Sequence, residues 1–176
     1  MSGPPGSGKT TLARELGREL PCPVLSRDEI KEGLMLASGD ITPPSLGAPV
    51  AASAFDLFYR LISECVRADC SIVAEAAFRT DFDNDLQRVA NLADTRLVEC
   101  RTERVEAARR FAQRASNDVT PRHSHPDAEI SASMADGTFE WECYGPLNLG
   151  VPTLIVDTTS AYSPALREIV AFSRAR

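Results

Sequence analysis

Gly3-Pro4-Pro5-Gly6-Ser7-Gly8-Lys9-Thr10 stands at the start of the chain, and it meets every fixed position of the pattern G-x-x-x-x-G-K-[ST]. Glycines at these places let successive backbone N–H groups turn inward around a phosphate, and a following helix aims the positive end of its dipole at the same point. That helix is present: residues 9–20 (KTTLARELGREL) carry Leu12, Ala13, Leu16 and Leu20 on one face. A Gly/Pro-rich turn matching the pattern by chance would not bring such a helix with it. The stretch therefore reads as a nucleotide-binding loop in which Gly3, Pro4, Pro5, Gly6, Ser7, Gly8, Lys9, Thr10 and Thr11 surround the phosphates. Lys9 would reach the β- and γ-phosphates of ATP, and the Thr10 hydroxyl would ligate Mg²⁺.

Downstream, apolar and polar stretches alternate as repeated strand–helix units. Pro21 and Pro23 end the first helix, and Val24-Leu25-Ser26 reads as a short strand. Helical spacing runs from Asp28 to Leu36, a Gly/Pro/Ser-rich loop covers 37–49, and an amphipathic helix runs from Val50 to Ala68. Ser71 to Glu75 reads as a buried strand ending on a carboxylate, Phe82 to Leu92 as a helix, and Thr95 to Cys100 as a strand. A basic helix follows at 103–115, then a Pro-, Gly- and His-containing region with a short helix near 127–135. Thr153 to Val156 is the last strand, and Pro164 to Phe172 the last helix with proline in its first turn. This order implies an α/β fold with a parallel sheet covered by helices on both faces. Ligands in such sheets bind beyond the carboxyl ends of the strands, where the loop, the Ser26-Arg27-Asp28 corner and Glu75 all fall.

A phosphate loop connects a strand to a helix, yet only Met1 and Ser2 precede Gly3. The first strand is expected to be missing, with Met1 an internal start. The last strand and the strand ending at Glu75 are expected to flank a vacant position in the sheet.

With 43% apolar and 25% charged residues, the 176-residue chain has the balance of one globular domain, here 1–176. The net charge of −6 weighs against a long nucleic-acid partner. Five scattered cysteines (Cys22, Cys65, Cys70, Cys100, Cys143) without a CxxC pair read as reduced thiols of a cytoplasmic protein. No apolar run has membrane-spanning length, and no obligate protein partner is implied.

Several residues carry two readings each. Asp28 is either a first-turn carboxylate offsetting the helix dipole or a general base for an acceptor hydroxyl. Glu75 either orders magnesium or its waters, or ends its strand in solvent. Arg79 either touches substrate or lies on the surface. Among Arg104, Arg109, Arg110 and Arg114, the pair Arg110 and Arg114 shares one helical face. That pair is read as a closing element over the phosphates, although Glu103 and Glu106 could pair with some of these arginines. Arg122-His123-Ser124-His125-Pro126-Asp127 lacks the spacing of a zinc site and reads as a polar or substrate loop. Trp141 and Tyr144 read as packing residues.

SGPPGSGKTTLARE, LSRDEIKEGL, SIVAEAAF and the helix bearing R-x-x-x-R resemble the P-loop kinase group related to polynucleotide kinase. That group includes zeta-toxin-like and chloramphenicol-phosphotransferase-like kinases. The closing VPTLIVDTT…YSPALREIVAFSR is similar to bacterial proteins called AAA-family ATP-binding proteins, which are kinase-like and not ring motors. The resemblance implies a nucleotide-kinase type of P-loop NTPase, with a lid helix at about 103–116 and an acceptor region at about 117–150. It implies that Asp28 is the acceptor-activating aspartate and that Arg110 and Arg114 are lid arginines. The group more often ends its third strand on Asp, where this chain has Glu75. The implied activity is ATP- and Mg²⁺-dependent phosphoryl transfer to a hydroxyl of a small molecule or nucleotide. A polynucleotide 5′-hydroxyl kinase and an ATP-binding regulatory or toxin-like module are the alternatives.

Overall fold

The computed structural model describes residues 1–38, 49–81, 84–117 and 127–175. In chain order the elements are α1 (Lys9–Glu19), β1 (Val24–Ser26), α2 (Arg27–Ser38), α3 (Pro49–Arg67), β2 (Val73–Glu75) and α4 (Asn84–Ala90). They continue with β3 (Leu97–Arg101), α5 (Arg104–Asn117), α6 (Asp127–Asp136), a 3₁₀ turn (Trp141–Tyr144), β4 (Thr153–Asp157) and α7 (Leu166–Arg174). The expected alternation is present, with no boundary displaced by more than two residues. Pro164 precedes α7 instead of standing in its first turn; Ala165 is the N-cap, and its N–H donates to the Glu168 carboxylate at 3.0 Å. Most of the 37–49 loop, Phe82 and the 118–126 stretch with His123 and His125 lie outside the described residues.

β1 pairs parallel with β2, in register from Val24 opposite Val73 to Ser26 opposite Glu75, and β3 pairs parallel with β4 from Leu97 opposite Thr153. Met1 and Ser2 stand between the two pairs. The Met1 amino group donates to Ala74 O at 2.6 Å, and Ala76 N donates to Met1 O at 3.3 Å. On the other side Ser2 N donates to Val98 O at 2.9 Å, and Cys100 N donates to Ser2 O at 2.8 Å. This corrects the sequence expectation in two respects. The strand beside the loop position is β3, with β4 one place further out, and the position holds a two-residue segment instead of standing vacant. Local patterning ranks strands by apolarity but carries no information on which strand neighbours which.

Strand side chains alternate between the two helical layers. Val73, Val98, Cys100 and Val156 pack against Leu12, Ala13 and Leu16 of α1 and Ile169 and Val170 of α7. Leu97 faces the opposite way, onto Phe58, Tyr59 and Ile62 of α3, Leu86 and Val89 of α4, and Leu147 and Leu149. The same alternation turns Ser26 and Glu75 toward α1, and so toward the phosphate loop. No described helix is long and apolar enough to cross a membrane.

Glu99, 5% exposed, shares the Leu97 face of β3 and accepts the Leu147 N–H at 2.6 Å. One carboxylate thus fastens the chain after the 3₁₀ turn to the sheet. Glu99→Ala should leave that buried N–H unpaired and cost about 1–3 kcal/mol. Thermal unfolding should register this as a fall in Tm of roughly 3–10 °C, with Glu99→Gln, whose amide oxygen still accepts, losing less. Wild-type melting of Glu99→Ala would show that the bond does not hold the segment.

Candidate functional site

The loop from Gly3 to Gly8 owes its shape to backbone angles that side chains oppose. Gly8 caps α1 at φ 75°, ψ 5°, and Gly6 has φ 78°; both are left-handed, where a Cβ is strained. Gly6 also lies hard against α5: a Cβ there would stand 2.1 Å from the carbonyl oxygen of Ala107, itself fully buried. Ser7 N donates to Pro4 O at 3.2 Å, and Ser7 O accepts from the Thr158 hydroxyl at 2.7 Å. The same hydroxyl lies 3.0 Å from Arg101 O, so Thr158 binds the loop to the ends of β3 and β4.

Two polar groups of the loop are under-satisfied. Lys9 is 6% exposed, and its Nζ meets Pro4 O at only 3.5 Å. Ser7 is fully buried, and among the described residues its hydroxyl has no partner. A buried ammonium with one weak acceptor is costly unless an anion completes it. Taken with the αL cap and the helix behind it, this arrangement fits a phosphate.

The acid side of the site is built on Glu75, 1% exposed at the end of β2. Its Oε1 accepts from Ser26 Oγ at 2.6 Å and from Thr10 Oγ1 at 3.1 Å. The solvent reading of Glu75 is therefore wrong: alternation of the strand turns the carboxylate inward, onto the helix that leaves the loop. Thr10 and Glu75 together offer a hydroxyl and a carboxylate, an all-oxygen set suited to a hard cation such as Mg²⁺, which keeps waters and phosphate oxygens as its other ligands. Among the described residues, no group of three or more His, Cys, Asp or Glu could hold a metal.

Asp28 is the second residue of α2, two places beyond Ser26, with its side chain 37% exposed and its Oδ1 2.9 Å from Arg27 Nη1. This position suits both of its sequence readings. Arg110 and Arg114, treated alike by spacing, have different settings. Arg110 donates through Nε to Glu106 at 2.6 Å and through Nη2 to Thr159 O at 2.8 Å, and its Nη1 would be 3.7 Å from a Cβ on Gly8. It stands at the loop. Arg114 is exposed one turn further along, with its guanidinium 5.0 Å from the Phe111 ring centroid. Glu106, bound by Arg109 and then by Arg110, is held down to about 2 and stays a carboxylate at every physiological pH.

Arg79 grips Asp81 with Nε and Nη2 at 3.0 and 3.1 Å, and the same Nη2 lies 3.2 Å from Cys143 Sγ. Tyr144 stacks on Phe139 at 5.7 Å and Trp141 meets the same ring edge-on at 4.7 Å, so both aromatics pack as expected. All five cysteines are free, and burial pushes the Cys100 thiol up to about 11, which leaves it unreactive. Strand order already put Ser26 in the ligand corner, though without a role, whereas Thr158 was missed. Thr158 directly follows the last strand, where the rule for ligand sites in parallel sheets points, and that signal could have found it.

The sequence model of a family described as an AAA domain matches residues 1–136. A crystal structure of a candidate kinase from Chloroflexus aurantiacus J-10-fl superposes with a TM-score of 0.75 at 26% identity, covering 98% of this chain and 91% of that one. No curated protein matches.

Gly6→Ala should force either the loop or α5 to move, because its Cβ would meet the Ala107 carbonyl oxygen at 2.1 Å. Gly137→Ala, at φ 80° with nothing within 4 Å, isolates the cost of the backbone angle alone, about 1–3 kcal/mol. Gly6→Ala should melt lower than Gly137→Ala and weaken nucleotide binding by at least roughly tenfold, the equivalent of about 1.4 kcal/mol. Equal melting and unchanged affinity in calorimetry would show that the loop does not rest on α5.

Proposed function

The chain belongs to the AAA-domain family whose model spans residues 1–136, as a P-loop kinase-like member, and from that premise we propose that it transfers the γ-phosphoryl group of ATP to a hydroxyl of a small molecule or nucleotide. The observation that carries this reading is the under-satisfied pair of Lys9 and Ser7 inside the loop, beside the linked hydroxyls and carboxylate of Thr10, Ser26 and Glu75.

In this reading the loop amides and Lys9 hold the β- and γ-phosphates. Thr10 and Glu75 hold the metal site, and Mg²⁺ bound there supplies positive charge against the phosphate oxygens. Asp28 accepts the proton of the acceptor hydroxyl as its oxygen bonds to the γ-phosphorus. The bond from that phosphorus to the bridging oxygen breaks, and ADP leaves with the electron pair. Arg110, already at the loop, offsets charge on the transferring group. Most of the rate comes from holding the two reactants in line and from fixed positive charge. The net charge of −6 favours a small acceptor over a polynucleotide, and the five free thiols suit the reducing cytoplasm.

A screen of nucleosides, sugars, antibiotics and oligonucleotides with labelled ATP should find acceptor-dependent ADP release. Lys9→Ala should abolish it, and wild-type turnover in that variant would sink the kinase assignment. Asp28→Asn should lower phosphoryl transfer by about 10²–10⁴-fold, with calorimetric nucleotide affinity unchanged within a few-fold. An affinity that falls as steeply as the rate would make Asp28 a structural or metal-linked residue.

A further inference from the structure

Arg27 opens α2 immediately before Asp28, and its surroundings differ from those of the other arginines near the site. Its side chain is only 15% exposed, and Nη1 lies 2.9 Å from Asp28 Oδ1. Its guanidinium carbon sits 4.4 Å from the centroid of the Phe55 ring. That ring is itself fixed, stacked on Tyr59 at 5.8 Å and in contact with Phe78 at 6.3 Å. Nε is buried and, among the described residues, has no acceptor.

A guanidinium does not lose its charge in a protein, and all its nitrogens are donors. Leaving a charged donor buried without an acceptor costs more than leaving a neutral one, so an oxygen is required at Nε. The direction of that requirement is informative. Nε lies on the edge of the guanidinium that meets a carboxylate or phosphate through parallel N–H bonds, the edge Arg79 uses on Asp81. Nη1 is meanwhile engaged by Asp28. Lys31, 5% exposed and four residues along the same helix, adds a second buried cation on that face.

We propose that Arg27 anchors the phosphoryl acceptor, and that the acceptor carries an anionic oxyacid group, a phosphate or carboxylate, beside the hydroxyl that Asp28 serves. This rests on the kinase reading for the role of Asp28, but the anion site itself can be tested without turnover. In this arrangement Phe55 holds the guanidinium plane, Nη1 sets Asp28, and the Nε edge fixes the acceptor. One side chain thereby aligns base and substrate.

The protein loaded with Mg²⁺ and adenylyl imidodiphosphate, so that the phosphate loop is filled, is titrated with inorganic phosphate in a calorimeter. Wild type should bind one further phosphate. Arg27→Met and Arg27→Lys should weaken that binding roughly ten- to a hundredfold, the worth of a charge-assisted hydrogen bond, with nucleotide affinity held within a few-fold. Arg27→Lys keeps the charge and loses the planar edge, and melting curves confirm that both variants fold. Equal phosphate affinity in folded variants and wild type, or no second phosphate in wild type, overturns the proposal. Turnover gives an independent arm with paired acceptors such as adenosine 3′-monophosphate against adenosine and glucose 6-phosphate against glucose. The anionic member should be preferred by wild type, and Arg27→Lys should raise the KM of the anionic member alone, while any loss of kcat through Asp28 falls on both. A preference for neutral acceptors, or a shared loss of kcat with neither KM raised, would reduce Arg27 to a support for Asp28. Phosphate binding through Arg27 without ADP release from any acceptor would overturn the kinase reading and leave the anion site standing.

Discussion

One oxygen atom joins the three elements on which this site depends. Oε1 of Glu75 accepts from Thr10 at the head of α1 and from Ser26 at the end of β1, while its own residue ends β2. A carboxylate that is 1% exposed and met by two neutral hydroxyls is not electrostatically compensated by them, since burying a charge costs several kcal/mol and hydroxyl dipoles return only part of it. The fold tolerates this because the carboxylate lies beside the place where positive charge is needed for phosphates. The same bonds that align the loop helix with the sheet therefore leave an oxygen-lined point whose donor set suits a divalent cation.

The other walls of the loop come from distant parts of the chain. Thr158 holds the Ser7 carbonyl from the end of β4, Arg110 bonds the neighbouring Thr159 carbonyl, and α5 packs so tightly on Gly6 that no Cβ fits. These contacts modify the picture of α5 as a lid. Its second turn is part of the rigid frame, anchored by Ala107 and Arg110, and a closing motion of the whole helix would have to break that packing. Arg114, one turn beyond Arg110, is exposed and takes no part in that packing. Arg110 is thus preorganised at the loop, which favours stabilisation of charge without reorganisation.

What could be read from the sequence was local. The loop pattern, the helix behind it and the carboxylate closing β2 are each written in consecutive residues, and periodicity located the described strands and helices. Pairing order was not legible, because Val98 and Cys100 look as apolar as the residues of β4, and only the tertiary fold puts β3 beside Met1 and Ser2. The inequality of Arg110 and Arg114 was hidden for a related reason. Spacing puts them on one face, but whether that face meets the loop at one turn or the next depends on how the helix docks. Thr158 escaped because a threonine after a strand has no distinguishing chemistry until a carbonyl 151 positions earlier comes within reach.

Arginines make the same point about function. Arg79 has a bidentate partner in Asp81, Arg110 is divided between Glu106 and Thr159, and Arg27 shares one nitrogen with Asp28 and, among the described residues, keeps a buried Nε unmet. In sequence these are three cations near a carboxylate-rich site, and nothing ranks them. Physically they are distinct, since a donor already satisfied gains little from a ligand, whereas a desolvated one gains a bond whose desolvation cost is already met in the free protein. Preorganised recognition of a substrate belongs where the protein leaves a polar group buried and incomplete. By that criterion Lys9 and Ser7 mark the proposed nucleotide side of this site, and Arg27 the proposed acceptor side.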